Sequence, residues 1–513
     1  MELGKMFQFK KERYASRTAI VQGDTRLTYA ELYKYSNRIA NGLYSIGVRT
    51  GDRVLTALTN RLETVALYWG VQLVGAVFTP VNFRFTAFEM NYVLDNSGAV
   101  AVAFEKISAN AVKASTANRN VKLIGVGVED KTDLNISNLD DVSDEHYKRK
   151  ELSVYEPALM LYTSGTTGRP KGVPRSHLNE YSASVAHIIQ NNYVEYESTI
   201  SVMPLYHTMG MRSMISMLML GGKLVMVPDY NPETLLNAIQ TEKVSCLYLI
   251  PTMYHDIFYS GKFEKYDVSS VNKIGYAGAA MTKLLTKLCF EKFKPKVFVN
   301  HFGSTEVYTY TICNYLDRKP TCAGKAGFHE RVKIVKFDDD NLATPDDVVK
   351  ENEVGQVIID TSSDESFRGY WNNSEATKFA IRDGWFFTKD IGYMDNDGDI
   401  FVLGRLDDMI ISGGENIHPL EVEDALEKHP AVKEVAVIGL PDNRWGHIVT
   451  AVVVKNSEVT PEELDRFFIE TSNLARFKRP RKYIFVDSLI KSSTGKILRQ
   501  KIREQFESKT EAN

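Results

Sequence analysis

The sequence has few of the features that mark secreted, membrane-spanning or nucleic-acid-binding proteins. Its 513 residues include four cysteines, whose positions show neither metal-ligand spacing nor a disulfide pattern. The longest apolar stretch, near residues 214–220, is too short to span a bilayer, and residues 1–17 lack the apolar core of a signal peptide. A net charge of −3 gives no reason to expect nucleic acid or an anionic membrane as a partner. These absences predict a soluble cytoplasmic protein with reduced, buried thiols.

What the sequence does have is an alternation of short β-rich runs and amphipathic segments over its first 400 residues. A chain of this length favours two or three domains. Turn residues and helical patterns separate apolar runs at residues 54–55, 76–78, 100–104, 158–162, 224–227, 244–250 and 297–299. This rhythm is typical of βα units and buried, largely parallel sheets. The predicted class is α/β, with a large N-terminal domain of βα layers.

The last hundred residues follow a different pattern, which predicts a small α+β domain. A helix is expected to begin at Pro419, because proline suits the first helical position. A second helix is expected from about Glu462 to Leu474. Strands are expected at residues 435–438, 448–454 and 483–486. No Pro/Gly/Ser-rich linker marks the boundary. The predicted organisation is therefore residues 1–404 and 408–513, joined by a short hinge at residues 405–407.

A glycine-rich loop, TSGTTGRPKG, occupies residues 163–172 directly after one of the apolar runs. Its glycines let the backbone turn sharply and bring N–H groups close to an anion. It is not a Walker A loop, since Lys171 is followed by Gly172 and not by Ser or Thr. A flexible surface turn is the alternative, but such a turn has no need for several hydroxyls beside a lysine. The predicted phosphate-binding residues are Thr163, Ser164, Gly165, Thr166, Thr167, Gly168 and Lys171.

This loop resembles the signature of the adenylate-forming superfamily, which includes acyl-CoA synthetases, peptide-synthetase adenylation domains and firefly luciferase. Further motifs occur in the family's order: NHFGSTE at 300–306, TKDIG at 388–392, GRLDDMIISGGENI at 404–417 and STGKI at 493–497. The hinge stretch and DNRWG at 442–446 look most similar to aryl-CoA ligases of the 4-chlorobenzoate type. The resemblance covers nearly the whole chain and implies that the small C-terminal domain is mobile.

The resemblance implies a role in nucleotide binding for several residues. Glu306 would ligate Mg²⁺, a hard cation that prefers carboxylate and phosphate oxygens. Phe302 would stack on adenine, where the family usually has Tyr. Asp390 would accept both ribose hydroxyls, a task suited to a carboxylate, and Arg405 would pair with a phosphate or ribose oxygen. Other residues implied at this site are Gly278, Ala279, Asn300, Gly303, Ser304 and Thr305.

The resemblance also implies separate machinery for two half-reactions. Lys496 would stabilise the charge that develops as the acid's carboxylate attacks the α-phosphorus. Asp407 matches the hinge about which the small domain would rotate before thioester formation. The residues implied at the CoA site are Gly413, Gly414, Trp445, Phe477 and Arg479, with Arg84 and Arg481 as weaker candidates. An exposed basic loop is the alternative for residues 477–481.

The residues that line the acyl pocket are the part of the site that the sequence specifies least. The segment MPLYH at 203–207 resembles the family's gate, so His207 is predicted to orient the acyl carboxylate; an ordinary half-buried histidine is the alternative. Two residues depart from the family pattern. Lys389 replaces the usual glycine before the ribose aspartate, and Ile490 stands where a proline is common. Candidates for the pocket wall, each of which could equally be core, are Met209, Tyr254, Val307 and Tyr308.

The implied function is an ATP-dependent acyl-CoA ligase of aryl or medium-chain fatty acid metabolism. The carboxylic acid, ATP, Mg²⁺ and CoA are its expected partners, and the enzyme is expected to be a monomer or a homodimer. One alternative is a stand-alone adenylation enzyme that loads a carrier protein, and a second is a luciferase-like oxygenase. A catalytically silent binding protein is disfavoured by the intact Lys496 and Glu306.

Overall fold

The computed structural model describes residues 1–163, 170–337, 343–413, 415–442, 444–472, 474–492 and 495–510. Residues 508–510 are described by their backbone alone. The described chain divides into two compact units. Unit 1 comprises Met1–Pro320, Lys325–Arg331 and Asp360–Phe386, and unit 2 comprises Thr321–Gly324, Val332–Ile359 and the chain after Phe386. The predicted domains, residues 1–404 and 408–513, and the hinge at residues 405–407 stay predictions.

The helices are short to medium in length. They are α1 (Leu3–Tyr14), α2 (Tyr29–Ser45), α3 (Leu62–Val74), α4 (Ala87–Ser97), α5 (Ala109–Thr116), α6 (His177–Gln190), α7 (Thr208–Met219), α8 (Pro232–Glu242), α9 (Pro251–Tyr259), α10 (Lys283–Phe293), α11 (Ser374–Ala380), α12 (Pro419–Leu426), α13 (Pro461–Thr471) and α14 (Arg499–Thr510). In the described part of the chain, none of them is both long and apolar enough to cross a membrane.

The strands fall between these helices along most of the chain. They are β1 (Thr18–Gln22), β2 (Thr25–Thr28), β3 (Arg53–Ala57), β4 (Val77–Pro80), β5 (Ala101–Phe104), β6 (Lys122–Gly125), β7 (Leu134–Asn135), β8 (Pro157–Thr163), β9 (Lys171–Ser176), β10 (Ser198–Ser201), β11 (Lys223–Met226), β12 (Cys246–Leu249), β13 (Lys273–Ala277), β14 (Val297–Phe302), β15 (Thr311–Cys313), β16 (Lys325–Ala326), β17 (Val332–Val335), β18 (Gly355–Asp360), β19 (Ile381–Arg382), β20 (Trp385–Met394), β21 (Ile400–Arg405), β22 (Ile410–Ser412), β23 (Glu415–Ile417), β24 (Val432–Asp442), β25 (Gly446–Lys455) and β26 (Lys482–Val486).

Unit 1 is built on two sheets that are parallel in their interiors. One has the order β16-β15-β14-β13-β12-β10-β11-β1-β2, and the other has the order β7-β6-β5-β3-β4-β8-β9. The central pairs are parallel, and the antiparallel pairs lie towards the ends of each order. Each apolar run noted in the sequence overlaps one of these strands, and the predicted parallel α/β domain is confirmed.

Apolar burial and helix caps explain why these elements form where they do. Helix α3 is buried at every position except Glu63, with Trp69 at its centre. Helix α2 begins at a capping box, in which the Thr28 side chain accepts from the backbone N–H of Glu31 and the Glu31 side chain accepts in return. The four cysteines are free and buried, as expected.

Unit 2 contains an α+β layer, as the C-terminal sequence predicts. Strand β25 pairs with β24, β22 and β26, and β24 alternates its side chains between two cores. Val435 and Val437 face the core that includes residues of α12 and α13, whereas Ala436 and Ile438 face residues of α14. Helix α12 begins at Pro419 as predicted. Helix α13 ends at Thr471, earlier than predicted, because Ser472 adopts an extended conformation.

Several of the family-like motifs follow the carboxyl ends of strands in unit 1. Thr163 ends β8, Gly278 follows β13, and Phe302 ends β14 just before Gly303. In open α/β sheets, ligands bind where the carboxyl ends of the parallel strands meet. The topology therefore brings two separate motifs and Gly278 to sheet edges of the kind that bind ligands.

Candidate active site

The predicted phosphate loop is closed at its base by an antiparallel pair of strands. Thr163 of β8 is paired with Lys171 of β9. The Pro170 carbonyl accepts a hydrogen bond from the Tyr92 hydroxyl at 2.9 Å. The Gly172 carbonyl accepts one from the Trp371 backbone N–H at 2.8 Å. Predicted site residues that lie outside the described part of the chain are Ser164, Gly165, Thr166, Thr167, Gly168 and Gly414, together with Ser493 and Thr494 of the lysine motif.

Glu306 is a buried residue whose backbone N–H and carbonyl both make hydrogen bonds. Only 8% of the residue is exposed. Its backbone N–H donates to Ser304 Oγ at 3.1 Å, and its carbonyl accepts from the Phe367 backbone N–H at 2.9 Å. One carboxylate oxygen, Oε1, accepts from the Tyr370 hydroxyl at 2.7 Å. In the described residues the other oxygen, Oε2, has no hydrogen-bond partner, so it is available to a ligand.

A cluster of buried charges lies behind this carboxylate. Arg175 Nε and Glu180 Oε1 are 2.6 Å apart, with side-chain exposures of 1% and 0%. The guanidinium of Arg212 pairs with the same carboxylate from the other side. Arg175 Nη1 also donates to the carbonyls of Thr305 and Glu306, at 3.0 and 3.2 Å. The cluster Arg175–Glu180–Arg212 thus connects β9, α6 and α7 to the segment that carries Glu306.

Two further carboxyls are buried near these cations. Burial raises the pKa of Glu365 to about 7, and the positive charges of Arg175 and Arg212 oppose the rise. Burial also raises the pKa of Glu330 to about 8, assisted by the neighbouring Glu365. Glu330 accepts from the Ser363 hydroxyl at 2.7 Å. Both carboxyls therefore hold protons more tightly in the folded protein than in the unfolded chain.

The residues predicted at the adenine lie on β14 and in the turns after β13 and β14. The Phe302 ring is half-buried and meets Tyr310 edge-on, with centroids 5.1 Å apart. A Cβ at Gly303 would overlap the Tyr308 carbonyl, so only glycine fits there. Gly278 and Ala279 are exposed, and Gly278 has a φ of +85°. Other predicted members of this region are Asn300 on β14 and Ser304 and Thr305 in the turn that follows.

His207 stands directly before helix α7, where its backbone N–H donates to the Pro204 carbonyl at 2.9 Å. Its ring packs on Tyr206 with centroids 4.7 Å apart. Burial lowers the pKa of His207 to about 4, so the imidazole is neutral at pH 7. Its Nε2 is buried and has no hydrogen-bond partner in the described residues. A neutral ring with one unpaired nitrogen can bind a carboxylate or a carbonyl.

Next to this segment lies a buried apolar cluster that sequence reasoning identified only in part. It contains Ala183, Met203, Met209, Tyr248, Ile250, Ala277 and Tyr308. The Tyr308 hydroxyl lies 3.0 Å from the Tyr248 hydroxyl and 3.1 Å from His187 Nδ1. By contrast, Tyr254 donates to the Gly275 carbonyl and packs edge-on against Phe293. Tyr254 is therefore core, whereas Met209 and Tyr308 belong to the cluster beside the gate.

Unit 2 brings the predicted ribose residues together. Asp390 on β20 is buried and lies opposite Arg405 on β21, with Oδ1 and Nη1 3.2 Å apart. Lys389 has a φ of +64°, so it adopts the backbone conformation that the family's glycine would favour. Its ammonium lies 3.2 Å from Asp407, the predicted hinge residue. Lys389, in place of the family's usual glycine, therefore preserves the conformation of the turn and adds an ion pair with Asp407.

Lys496 lies in the same electrostatic environment as the ribose pair. Its backbone N–H donates to Ser492 Oγ at 3.1 Å. The residue is exposed overall, yet the pKa of Lys496 is lowered, first by desolvation of the ammonium and then by the positive charge of Arg405. Asp390 and Asp408 oppose this effect. The motifs at 388–392, 404–417 and 493–497, far apart in the sequence, thus converge within unit 2.

Among the predicted CoA residues of unit 2, Gly413 packs directly against Trp445, whereas Phe477 and Arg479 lie apart from that contact in the sequence. The Gly413 N–H donates to the Trp445 carbonyl at 2.8 Å, and a Cβ at Gly413 would strike the Trp445 ring. Arg481 lies over that ring, 4.5 Å from its centroid. Phe477 is 39% exposed, and Arg479 pairs with an aspartate, Asp465, at 2.7 Å. Trp445 with Gly413 and Arg481 therefore forms a basic aromatic surface, whereas Arg479 already has a partner.

Comparison with known proteins agrees with this geometry. A family model described as "AMP-binding enzyme" matches residues 7–371, and a model for the C-terminal domain of such enzymes matches residues 421–496. A feruloyl-CoA synthase from an Amycolatopsis species is 34% identical over 495 residues, which cover 95% of this chain and 96% of that protein. A 4-chlorobenzoate–CoA ligase from an Arthrobacter species is 32% identical over 490 residues, which cover 93% and 90%.

A solved structure gives the same result. The o-succinylbenzoate CoA synthetase from Bacillus subtilis, in complex with its acyl-adenylate intermediate, matches with a TM-score of 0.84 and 27% identity, covering 97% of each chain. The chain belongs to the AMP-binding enzyme family, which confirms the resemblance to adenylate-forming enzymes. Within that family it is an AMP-forming acid–CoA ligase, for which ATP and CoA are substrates.

Sequence reasoning missed the groups that support the motifs. Tyr370, Glu180 and Glu365 lie in segments that no motif covers. Arg175 was detectable in principle, because a charged residue inside a buried strand needs a buried partner. The partner itself, on the following helix, is identified only by the fold.

The raised pKa of Glu365 predicts a pH-dependent stability. The folded protein retains this proton up to about pH 7, whereas the unfolded chain releases it near pH 4.5. The associated stabilisation is therefore complete below pH 4.5 and is lost as pH rises through 7. Glu365→Gln should raise the apparent melting temperature, relative to wild type, by about 1–3 °C more at pH 8.5 than at pH 5.

Differential scanning calorimetry at both pH values would measure this difference. Glu291→Gln, at an exposed position on α10, is the matched control and should show the same small effect at each pH. If Glu365→Gln behaved like this control, the carboxyl would already be ionised in the folded protein at neutral pH.

Proposed function

We propose that this chain activates an aryl or medium-chain carboxylic acid with Mg²⁺ and ATP, and then transfers the acyl group to CoA. The observation that carries this proposal is the convergence within unit 2 of Lys496, Asp390 and Arg405. A cation beside an acceptor carboxylate and a guanidinium suits a nucleotide whose ribose and α-phosphate are bound together.

In the first half-reaction, a carboxylate oxygen of the acid attacks the α-phosphorus of ATP. The bond between that phosphorus and the pyrophosphate oxygen breaks, which yields an acyl-adenylate and pyrophosphate. Negative charge grows on the oxygens around phosphorus in the transition state. Lys496 stabilises this charge where it develops. Because the interaction is stronger in the transition state than in the ground state, it lowers the activation barrier.

Further residues are proposed to contact the phosphates and the adenine. The loop from Thr163 to Lys171 binds the β- and γ-phosphates, with Ser164, Gly165, Thr166, Thr167 and Gly168 as its predicted donors. Phe302 stacks on adenine, and its half-buried ring beside Tyr310 supports that role. Gly278, Ala279, Asn300, Gly303, Ser304 and Thr305 complete the predicted nucleotide contacts.

The residues present fit a magnesium ion at Glu306. This carboxylate is buried, and in the described residues its Oε2 has no hydrogen-bond partner. A carboxylate oxygen without a hydrogen-bond partner is the kind of ligand that a hard cation such as Mg²⁺ prefers. When bound, Mg²⁺ neutralises the charge of the departing pyrophosphate. Glu306 would hold the ion, and its own backbone carbonyl is held by the Arg175 side chain and the Phe367 N–H.

For the acid, we propose the cluster beside the gate as the acyl side of the site. His207 is neutral and has an unpaired Nε2, so it can orient the acyl carboxylate as a donor. The cluster beside it contains the rings of Tyr248 and Tyr308 together with aliphatic side chains. Aromatic and apolar surroundings favour an aryl or medium-chain tail. The acids named for the feruloyl- and 4-chlorobenzoate-specific relatives are of the aryl kind.

In the second half-reaction, the thiol of CoA attacks the acyl carbonyl and AMP leaves. Asp407 is the proposed hinge residue. Rotation of the C-terminal domain about it would remove Lys496 after the first step and bring in the CoA-binding residues for the second. Gly413, Gly414 and Trp445 are proposed to contact the pantetheine, and the Arg481 guanidinium over the Trp445 ring supports a phosphate-binding role beside it. Phe477 and Arg479 are proposed at the edge of this face.

Incubation with ATP, Mg²⁺, CoA and a panel of acids tests the proposal. We expect equal amounts of AMP and thioester with a benzoate- or cinnamate-type acid or a medium-chain fatty acid. AMP release with a carrier protein but never with CoA would show a carrier-loading enzyme instead. Oxygen consumption with light emission would show a luciferase-like oxygenase.

Lys496→Ala should separate the two half-reactions. We expect acid-dependent exchange of pyrophosphate into ATP to fall by about 10²–10³-fold, because a charge-stabilising donor is lost. Thioester formation from preformed acyl-AMP and CoA should stay within about twofold of wild type. Lys501→Ala, at an exposed position on α14, is the control that should leave both rates unchanged. Equal loss of both half-reactions would refute separate roles.

Trp445→Ala should weaken CoA binding alone. We expect the KM for CoA to rise about tenfold, as loss of a ring that stacks and holds a guanidinium would cause. Pyrophosphate exchange, which needs no CoA, should be unchanged. Trp445→Phe retains a ring and should lie between wild type and the alanine variant. Slower exchange with an unaltered KM for CoA would remove Trp445 from the CoA site.

A further inference from the structure

We propose that Tyr370 is a positioning residue for the adenylation step, whose hydroxyl orients the Glu306 carboxylate and whose ring face holds the Lys171 ammonium. This inference rests on the proposed roles of Glu306 in metal binding and of Lys171 in phosphate binding. All three residues belong to unit 1. Tyr370 lies in none of the motifs that the sequence resemblance supplies.

The first observation is the hydrogen bond to the carboxylate. The Tyr370 hydroxyl donates to Glu306 Oε1 at 2.7 Å. Hydrogen bonds from an O–H to an ionised carboxylate are among the strong ones in proteins. This bond occupies one oxygen and fixes the orientation of the carboxylate plane. The second oxygen, Oε2, is thereby presented in a fixed direction to the cation that Glu306 is proposed to bind.

The second observation is the position of the lysine. Lys171 Nζ lies 4.7 Å from the centroid of the Tyr370 ring. A ring face attracts a cation at this distance, and the attraction grows as water is excluded. Lys171 and Glu306 carry opposite charges, and each contacts a different part of one side chain. Tyr370 therefore positions both the Lys171 ammonium and the Glu306 carboxylate with one rigid side chain.

The third observation is that Tyr370 is itself held by groups outside this arrangement. Its backbone N–H donates to Thr377 Oγ1 at 2.9 Å, and its ring meets Phe367 edge-on, 5.1 Å between centroids. The next residue, Trp371, donates its backbone N–H to Gly172 on β9 and its ring N–H to the Asn96 carbonyl. A side chain fixed by independent contacts can orient others, as positioning residues must.

Tyr35 of the same unit offers a contrast. It donates its hydroxyl to the Ile136 backbone carbonyl at 2.8 Å. Tyr370 instead donates to the carboxylate proposed to bind the metal, where its loss would change the geometry of a reacting site.

The test compares Tyr370→Phe, Tyr370→Leu and the control Tyr35→Phe in the full-length enzyme. Mn²⁺ serves as the probe, and its binding in the presence of ATP is followed by electron paramagnetic resonance. For Tyr370→Phe we expect the half-saturating Mn²⁺ concentration to rise about tenfold, as loss of a hydrogen bond to a charged group implies. The KM for ATP at saturating metal should stay within about twofold, because the ring remains. For Tyr370→Leu both values should rise.

The control Tyr35→Phe should change neither value. Metal binding is expressed per folded molecule, from the amplitude of the thermal unfolding transition, so partial misfolding does not imitate the effect. Unchanged Mn²⁺ binding in Tyr370→Phe would overturn the inference.

A double-mutant cycle isolates the contact with Glu306. In a Glu306→Gln background, Tyr370→Phe should add less than a twofold change in Mn²⁺ binding, since the charged acceptor is gone. An undiminished tenfold effect would overturn the inference, because Tyr370 would then act independently of Glu306. Failure of the proposed function is distinguishable: wild-type enzyme would then show no acid-dependent pyrophosphate exchange with any metal, whatever the Tyr370 variants bind.

Discussion

The buried cluster Arg175–Glu180–Arg212 is the interaction on which the arrangement of unit 1 depends. Two guanidinium groups and one carboxylate are removed from water almost completely, and desolvation of such groups is expensive unless each finds a partner. The three residues lie on β9, α6 and α7, and Arg175 also reaches the carbonyls of Thr305 and Glu306. Movement of any of these elements would leave a charge unpaired, so their relative positions are narrowly defined.

Each connected element carries part of the proposed reaction. Strand β9 begins at Lys171, at the end of the phosphate loop, and α7 begins directly after the gate residue His207. The segment after Gly303 carries Glu306, the carboxylate proposed to bind the metal. One charge cluster therefore connects the segments proposed to bind phosphate, acid and metal. In unit 2 the pairing of Asp390 with Arg405 has a comparable role beside Lys496.

The sequence predicted local features well and long-range partnerships poorly. The start of α12 at Pro419 follows from the fixed φ of proline, and the parallel strands follow from runs of apolar residues. Motif residues such as Glu306 and Lys496 were found because their neighbours form recognisable strings. Tyr370, Glu180 and the Tyr248–Tyr308–His187 contacts could not be found in this way, because a hydrogen bond between residues far apart in the chain leaves no local pattern. The division of the chain between the two units, for example after Phe386, likewise depends on packing.

In the proposed reaction, a buried cation, the Arg175 guanidinium, holds the geometry of adenylation. Arg175→Lys tests it most directly, since lysine keeps the charge but lacks the fork that reaches Glu180 and two carbonyls together. We predict that acid-dependent pyrophosphate exchange falls at least tenfold per folded molecule, while thioester formation from preformed acyl-AMP and CoA stays within about twofold. Equal loss of both half-reactions, or no loss of exchange, would contradict the account.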